Sequence, residues 1–271
     1  MGLRINTNIA ALNASRVLSR STTQLNRALE QLSSGLRINR ARDDAAGLAI
    51  AEGFNSVVRG TQVAQRNSQD GVSLVQTAEG ALSEGTNILQ RMRELAVQSA
   101  NGTMSTANRA SLQSEVTQLV GQIDDIATDT EFNGLRVLSA AQTLTLQAGA
   151  QAGQTLTIAL SGSKASDLSV NNISISSIDG AVSALSTLDT AINSVSSLRA
   201  TLGAIQNRLE FTINTLAIQE ENSAAAESAI RDADIARVTT EFTRTQILIN
   251  AGTSVLAQAN VVPQTALQLL G

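Results

Sequence analysis

Three pairs of acidic residues are the first candidates for a metal site or for acid–base catalysis. Asp43-Asp44, Asp124-Asp125 and the Asp232/Asp234 pair could each bind a hard cation or supply an acid and a base. Successive residues of a helix point about 100° apart, so neighbouring carboxylates do not converge on one ligand. We therefore predict that these residues cap helices or lie on solvated faces, with no metal site.

The other side chains that catalysis usually needs are missing. The 271 residues contain no histidine and no cysteine, which removes the commonest general base and any thiolate nucleophile or disulfide. The stretch GAQAGQ has the glycines of a phosphate loop but lacks the Lys-Ser/Thr that follows them, so a hairpin turn is expected there. The sequence predicts no catalytic residue, no cofactor and no enzymatic activity.

A cluster of arginines, Arg37, Arg40 and Arg42, lies in the polar stretch LRINRARDD. Two interpretations stay open for it. The cluster is either a solvated linker or an inter-subunit contact in which the arginines pair with Asp43, Asp44 or acidic neighbours.

Composition indicates helices that pack in thin layers. Hydrophobic residues make up 42% of the chain but aromatic residues only 1%, and Pro263 is its one proline. A core of Ala, Leu, Ile and Val suits helix-on-helix seams, and the scarcity of proline permits long helices. The net charge of −4 is too small to predict nucleic acid or an anionic membrane as a partner. No apolar run approaches the ~20 residues of a membrane span, and the N-terminus lacks the pattern of a secretory signal.

Heptad spacing predicts the helices of the first half. Leu25, Leu29, Leu32 and Leu36 indicate a helix over about 6–33, which Ile5, Ile9 and Leu12 extend upstream with a phase shift. A second helix is expected from Asp43-Asp44 to Ala100, with six glycines that imply kinks or close packing. A third is expected over about 105–128.

The middle of the chain changes period and the end returns to heptads. Alternating Leu144, Leu146, Leu156, Ile158 and Leu160 predict a β-hairpin. Short strands are expected within 161–179. The candidate strand residues there are Leu168, Val170, Ile173 and Ile175.

Helical order is expected again from about Gly180. A polar, Ala-rich stretch then leads to a last helix that Pro263 interrupts. The seam of that last helix contains Ile235, Phe242, Ile249 and Leu256.

The expected fold is therefore mainly α: long antiparallel coiled-coil helices forming a rod, with a small β-hairpin region in the middle of the chain. The expected divisions are 1–44, 45–179, 180–222 and 223–271. The last helix should return to the first. The apolar residues between 253 and 270 cover more than one helix face, which predicts burial against other copies of the chain.

Six stretches resemble bacterial flagellin, and they cover both terminal thirds of the chain. They are INTNIAALNASR, SSGLRINRARDDAAGLAIAE, QRMRELAVQSANGT, SLRATLGAIQNRL, RDADIARVTTEFTRTQIL and AGTSVLAQANVVPQTALQLL. The resemblance implies a subunit of an extracellular filament, exported unfolded without a cleaved signal. Its terminal helices would form an inner tube and its middle helices a surrounding one. Only about 161–179 stands where many flagellins insert outer domains, so the resemblance is to a minimal form.

The resemblance also implies partners and site residues. The partners are further copies of the chain, the flagellar export apparatus and its flagellin chaperone, the filament cap, the hook-junction proteins and the vertebrate Toll-like receptor for flagellin. The residues expected to assemble the inner tube are Ile5, Ile9, Leu12, Leu25, Leu29, Leu32, Ile235, Phe242, Ile249, Leu256, Leu267 and Leu270. The residues expected to meet the receptor are Gln90, Arg91, Leu95, Gln98 and Glu115.

Two alternatives to the filament subunit remain at this point. A hook–filament junction protein would share the terminal helices, and a soluble coiled-coil adaptor would share the heptads. An adaptor, however, would not need apolar faces beyond one seam at both ends of the chain.

Overall fold

The structure, a computed structural model, describes residues 7–268, with side chains up to Val261. Five helices contain most of these residues. The helices are α1 Ile9–Ser34, α2 Ala45–Ser99, α3 Thr106–Asp129, α4 Ile178–Arg231 and α5 Ile235–Gln268. Two small antiparallel sheets lie between α3 and α4 in the sequence. Strand β1 Glu131–Phe132 pairs with β2 Leu135–Arg136, and β3 Gln142–Gln147 pairs with β4 Thr155–Leu160. The predicted mainly α class is confirmed.

Local capping signals fix the ends of the helices. The side chain of Asn8 accepts a hydrogen bond from the backbone N–H of Ala11 at 3.1 Å and so begins α1. Gly35 ends that helix with φ +72°, the left-handed conformation that glycine adopts without steric cost. Ser105 caps α3 in the same way as Asn8 caps α1. The predicted boundaries of the first three helices are therefore confirmed to within about three residues.

The chain divides into two compact units. Unit 1 is formed by the described parts of Met1–Ser56 and Asn222–Gly271, and it contains α1 and α5. Unit 2 is Val57–Glu221, and it contains α3, both sheets and most of α2 and α4. Aliphatic residues fill the core of unit 2, among them Leu82, Leu89, Leu188, Leu202 and Leu209, which are almost completely buried. Helix seams built almost entirely from aliphatic side chains are what the composition predicts.

Helix α2 runs unbroken through its glycines, and two of them lie where the β3–β4 hairpin approaches. A Cβ on Gly60 would lie 2.9 Å from the Cβ of Ala150, and one on Gly71 would lie 2.9 Å from a methyl of Leu146. A Cβ on Gly80 would meet nothing within 4 Å. Close packing, rather than a kink, therefore explains the glycines at positions 60 and 71.

The secondary structure differs from the sequence-based expectation at four places. Residues 161–177 form turns and not strands, because Val170 and Ile175 are buried by loop packing without a strand partner. The hairpin β1–β2 was not predicted, although Asn133-Gly134 at its tip has the positive φ angles that such dipeptides favour. Helix α4 continues through the Ala-rich stretch to Arg231.

The last of these differences concerns Pro263, which does not end α5. The helix runs five residues past it to Gln268. A proline inside a helix costs one backbone hydrogen bond and usually bends the axis, but it need not stop the helix.

Candidate functional site

Helices α1 and α5 of unit 1 pack antiparallel. The Nδ2 of Asn8, at the start of α1, donates to the backbone carbonyl of Ala259 at 2.7 Å. Leu18 lies 3.5 Å from the position that a Cβ on Gly252 would occupy. Ala28 and Val238 line one groove near the other end of the pair. The predicted return of the last helix to the first is confirmed.

A seam of buried and half-buried residues, spaced three and four apart, runs along each helix of this pair. On α1 the seam contains Ala11, Ala14, Leu18, Ser21, Leu25, Ala28 and Leu32. On α5 it contains Val238, Phe242, Thr245, Ile249, Gly252, Leu256 and Ala259. Spacing of this kind is typical of coiled coils. The many small residues allow the two backbones to approach closely and cover little apolar surface.

Large apolar side chains are consequently left outside the seam. They are Ile9, Leu12, Val17 and Leu29 on α1, and Ile235, Ile247, Leu248, Val255 and Val261 on α5. Ile9 is 66% exposed and Leu12 is 63% exposed. Monomeric proteins rarely leave so many large apolar residues uncovered on one pair of helices, so these faces are candidate interaction surfaces.

The predicted stripe on α1 differs from the observed seam. Leu29 was expected on one stripe with Leu25 and Leu32, and Ile9 and Leu12 were expected to extend that stripe after a phase shift. All three are exposed, because Ala11, Ala14 and Ala28 occupy the seam. The spacing of leucines alone does not identify a seam in which alanine and serine occupy several of the positions. On α5, Ile235 is exposed, whereas Phe242, Ile249 and Leu256 are half-buried. Ile5, Leu270 and the side chain of Leu267 lie outside the described residues.

The linker arginines all find partners within unit 1. Arg37 donates its Nε to the carbonyl of Ile230 at 3.1 Å. The guanidinium of Arg40 contacts Glu30 at 2.6 Å, and that of Arg42 lies 3.6 Å from the same carboxylate. Arg27 lies 3.5 Å from Asp43. The cluster therefore holds the linker against α1 and the end of α4, a role that neither earlier interpretation described.

The acidic pairs mainly serve backbone groups. Asp44 accepts from the N–H of Gly47 at 2.8 Å and begins α2, and Asp234 accepts from the N–H of Arg237 at 3.1 Å and begins α5. Asp124 accepts from the N–H of Ala165 at 2.8 Å and fastens the loop after β4. The predicted capping role is thus confirmed for Asp44 and Asp234, while Asp124 anchors a loop.

In unit 2, an exposed charged cluster joins α2 to α3. The guanidinium of Arg91 donates through Nε and one Nη to Glu115 on α3, at 3.1 and 2.9 Å. Its other Nη donates to Glu94, one helical turn along, at 3.1 Å. The hydrogen bonds to Glu115, followed by the one to Glu94, raise the pKa of Arg91 above its ordinary value. Glu115 of α3 therefore faces Arg91 of α2.

The other residues of the expected receptor set lie in different surroundings. Gln90 and Gln98 are exposed on α2, beside the charged cluster in the sequence. Leu95 is only 1% exposed and belongs to the core of unit 2. It can therefore act on this surface only through the position of the helix that carries it.

One buried cation was not predicted from the sequence. Arg109, on the first turn of α3, donates to the carbonyl of Ser99 at 2.9 Å and to that of Asn101 at 3.0 Å. It thereby satisfies carbonyls at the C-terminal end of α2. No periodic pattern around Arg109 predicts this role, because its partners belong to the end of the preceding helix and the turn after it.

Comparison with known proteins places both ends of the chain in one family. The family model for the bacterial flagellin N-terminal helical region matches residues 5–143, and that for the C-terminal helical region matches residues 185–270. The chain belongs to the bacterial flagellin family. No helix in the described part of this flagellin-family chain combines the length and apolarity needed to cross a bilayer.

Relatives within the flagellin family align along nearly the whole chain. A flagellin of Halalkalibacterium halodurans is 49% identical and covers 98% of this chain and 99% of its own length. A flagellin of Bacillus subtilis is 46% identical, covering 99% of this chain and 100% of its own. A flagellar filament 31.3 kDa core protein of Treponema maltophilum is 42% identical, covering 98% and 99%.

Proposed function

We propose that this chain is a structural subunit of the bacterial flagellar filament, and that α1 and α5 hold neighbouring subunits together. The observation that carries the proposal is the set of large apolar side chains that the α1–α5 pair leaves exposed. Membership of the flagellin family and the filament core protein among its relatives support it. The proposed activity is polymerisation for swimming motility, with no catalytic step.

The energy for assembly comes from burial of these faces. Burying an exposed Leu, Ile or Val side chain contributes roughly 1.5–3 kcal/mol. Because exposed apolar residues lie on both helices outside their shared seam, each subunit can contact more than one neighbour, and the contribution recurs at every repeat. We infer an inner tube built from residues 1–44 and 223–271, with the helices of 45–179 and 180–222 surrounding it.

In the free subunit the same two helices are expected to be poorly ordered. Their seam is rich in alanine, glycine and small polar residues, so the pair alone buries little apolar surface to offset the loss of chain entropy. Binding of neighbours would order the helices by mass action. Weak order before assembly also suits passage of an unfolded chain through a narrow export channel.

The finer partners rest on family resemblance and on the exposed charged cluster. We propose that Arg91, with Gln90, Gln98 and Glu115, contacts the vertebrate Toll-like receptor for flagellin, and that Leu95 positions this surface from the core. An exposed arginine held by two carboxylates is a rigid anchor of the kind found at binding hot spots. The export apparatus, its flagellin chaperone, the filament cap and the hook-junction proteins complete the proposed partners.

The alternatives make different predictions. A hook-junction protein is disfavoured because the full-length relatives at 46–49% identity are flagellins. A soluble coiled-coil adaptor should reach a fixed oligomeric size.

Light scattering distinguishes an adaptor from a filament subunit. When the purified chain is salted out with ammonium sulfate, a filament subunit should show a threshold protein concentration. Above that threshold, light scattering should keep rising as more protein is added. Scattering that levels off at a small oligomer, with no threshold, would contradict the proposed function.

A further inference from the structure

The outward side of α4 in unit 2 carries an exposed apolar pair. Phe211 is 71% exposed, the highest value for any large hydrophobic residue among those described. Ile218 lies seven residues further along and is 61% exposed. A spacing of seven puts both side chains on one face of the helix. An exposed phenylalanine is unusual here, since the chain has only four aromatic residues.

This face points away from the core of its own unit. Leu209 and Leu216 are buried on the side of α4 that packs in unit 2, and residues two positions further on lie about 200° around the helix. Glu210 and Glu221 are exposed at one edge of the same face, and Arg208, three residues before Phe211, is exposed at its other edge. We name the surface formed by Glu210, Phe211, Ile218 and Glu221 the α4 outer face.

A surface of complementary character lies on α2. Val63 is 46% exposed, and Arg59 and Arg66, four residues before it and three after it, are exposed on the same side. Thr61 and Ala64 are buried on the other side of the helix. We name the surface formed by Arg59, Val63 and Arg66 the α2 outer face. Asp70, seven residues after Val63, is exposed on the same side. The α2 outer face therefore has two positive charges and one negative charge, whereas the α4 outer face has two negative charges and one positive charge, so their net charges are opposite.

The contacts between these helices place the two outer faces on opposite sides of the α2–α4 pair. Gln62 of α2 donates to Glu220 of α4 at 2.7 Å, and Gly71 of α2 packs against Leu209 of α4. Within the described part of the chain, no ion pair involves either arginine of the α2 outer face or either carboxylate of the α4 outer face. Neither face can reach the other within one subunit.

We infer that the α4 outer face of one copy docks on the α2 outer face of a second copy. Carboxylates would meet guanidinium groups, the ring of Phe211 would offer a surface to an arginine, and Val63 would pack with Ile218. Two different faces on opposite sides make a head-to-tail contact, which propagates from copy to copy instead of closing a dimer. The inference rests on the proposed function and adds a second, lateral contact to the one made by α1 and α5.

Charge reversal tests the contact. Arg59→Glu with Arg66→Glu should raise the threshold concentration for polymerisation by about tenfold, and so should Glu210→Arg with Glu221→Arg, since each juxtaposes like charges. Combining all four substitutions in one chain should bring the threshold back to within about threefold of the parent. Reversal of an exposed pair on the β1–β2 hairpin, Glu131→Arg with Arg136→Glu, serves as the control and should leave the threshold unchanged.

The outcomes distinguish failure of the lateral contact from failure of the proposed filament function. Helical circular dichroism of each monomer first establishes that the variant is folded. If the parent polymerises and either double variant has the parental threshold, or if the fourfold variant shows no recovery, the lateral contact is wrong while the proposed function stands. A parent that never polymerises would instead overturn the proposed function.

A second measurement does not depend on changing charges. The chain has no cysteine, so Phe211→Cys supplies a single thiol. Its reaction with a maleimide should be at least about tenfold slower in the polymer than in the monomer, because the docked face excludes the reagent. Equal rates in the two states would overturn the proposed contact.

Discussion

Arg91 is the single residue from which the receptor proposal can be tested most directly. Arg91→Ala removes a guanidinium that Glu94 and Glu115 hold in place at the surface. Truncation of a hot-spot residue costs about 2 kcal/mol or more, so the monomer concentration that half-activates a receptor reporter should rise about thirtyfold. Circular dichroism should show unchanged helices, since exposed ion pairs contribute little to stability.

Arg93 supplies a matched control for that experiment. It lies two residues further along α2 and forms a 2.6 Å contact with Asp189, with a similar exposed fraction. Residues two apart on a helix point in nearly opposite directions, so Arg93→Ala should leave reporter activation close to that of the parent. A folded Arg91→Ala variant that signals like the parent would show that Arg91 does not contact the receptor.

Phe242 tests the seam between α1 and α5. Phe→Ala in a packed core costs ~3–5 kcal/mol, and because Phe242 is only half-buried within one chain we expect about 2 kcal/mol per subunit. The dissociation temperature of the polymer, followed by light scattering, should therefore fall. Thr240→Ala, at an exposed position of the same helix, should leave that temperature unchanged. An unchanged temperature for Phe242→Ala would mean that Phe242 does not anchor the helix pair.

At the level of residues, charged partners were predicted only where the family resemblance named them. The resemblance put Arg91 and Glu115 in one set, whereas the partners of Arg109 were not predicted. The burial of Leu95 agrees with its place in the seven-residue repeat Leu74–Ala81–Ile88–Leu95. The outward position of Ile9 and Leu12 could not be predicted, because it depends on which neighbouring alanines form the seam. Small residues give a weak periodic signal although they decide where two helices meet.

At the scale of an element, the glycines of α2 provide a matched pair. Gly80→Ala should raise the free energy of unfolding of the monomer by about 0.5–1 kcal/mol, because alanine favours a helix and nothing lies near the new methyl. Gly60→Ala should lower it by about 1–2 kcal/mol, because its methyl would overlap Ala150 by an amount that costs more than the helical gain. Chemical denaturation followed by circular dichroism measures both. Stabilisation of equal size by the two substitutions would contradict the close approach of the hairpin.

Elements with local signals could be predicted and elements without them could not. Asn8, Ser105 and Gly35 mark helix ends through their own side chains or backbone, so the boundaries of α1 and α3 follow from the sequence. The stretch 161–177 is poorly patterned and offered only short strand candidates, of which Ile175 donates its N–H to the side chain of Gln113. The side chain of Gln113, on α3, thus takes the place of a strand partner. The sequence of 161–177 alone cannot predict this contact.

For the whole molecule, the account predicts that order at both ends depends on assembly. An arginine-specific protease should cleave the monomer at exposed sites on the first and last helices, Arg16, Arg20, Arg237 and Arg244, and should leave residues 57–221 intact. The same digestion of the polymer should release almost none of these fragments, because neighbours order and cover both helices. Gel electrophoresis with mass spectrometry identifies the cuts. Equal protection of the two states would show that the free subunit already holds its ends in place.

Removal of Thr253–Gly271 tests the central claim most directly, since it deletes Val255 and Val261 from the outward apolar surface of α5 and leaves unit 2 complete. Parent and truncated chains are salted out at equal concentration and viewed by negative-stain electron microscopy, with circular dichroism to show that unit 2 remains helical. The account predicts long, thin filaments from the parent and none from the folded truncated chain. Filaments of normal appearance from the truncated chain would contradict the claim that these apolar faces hold the polymer together.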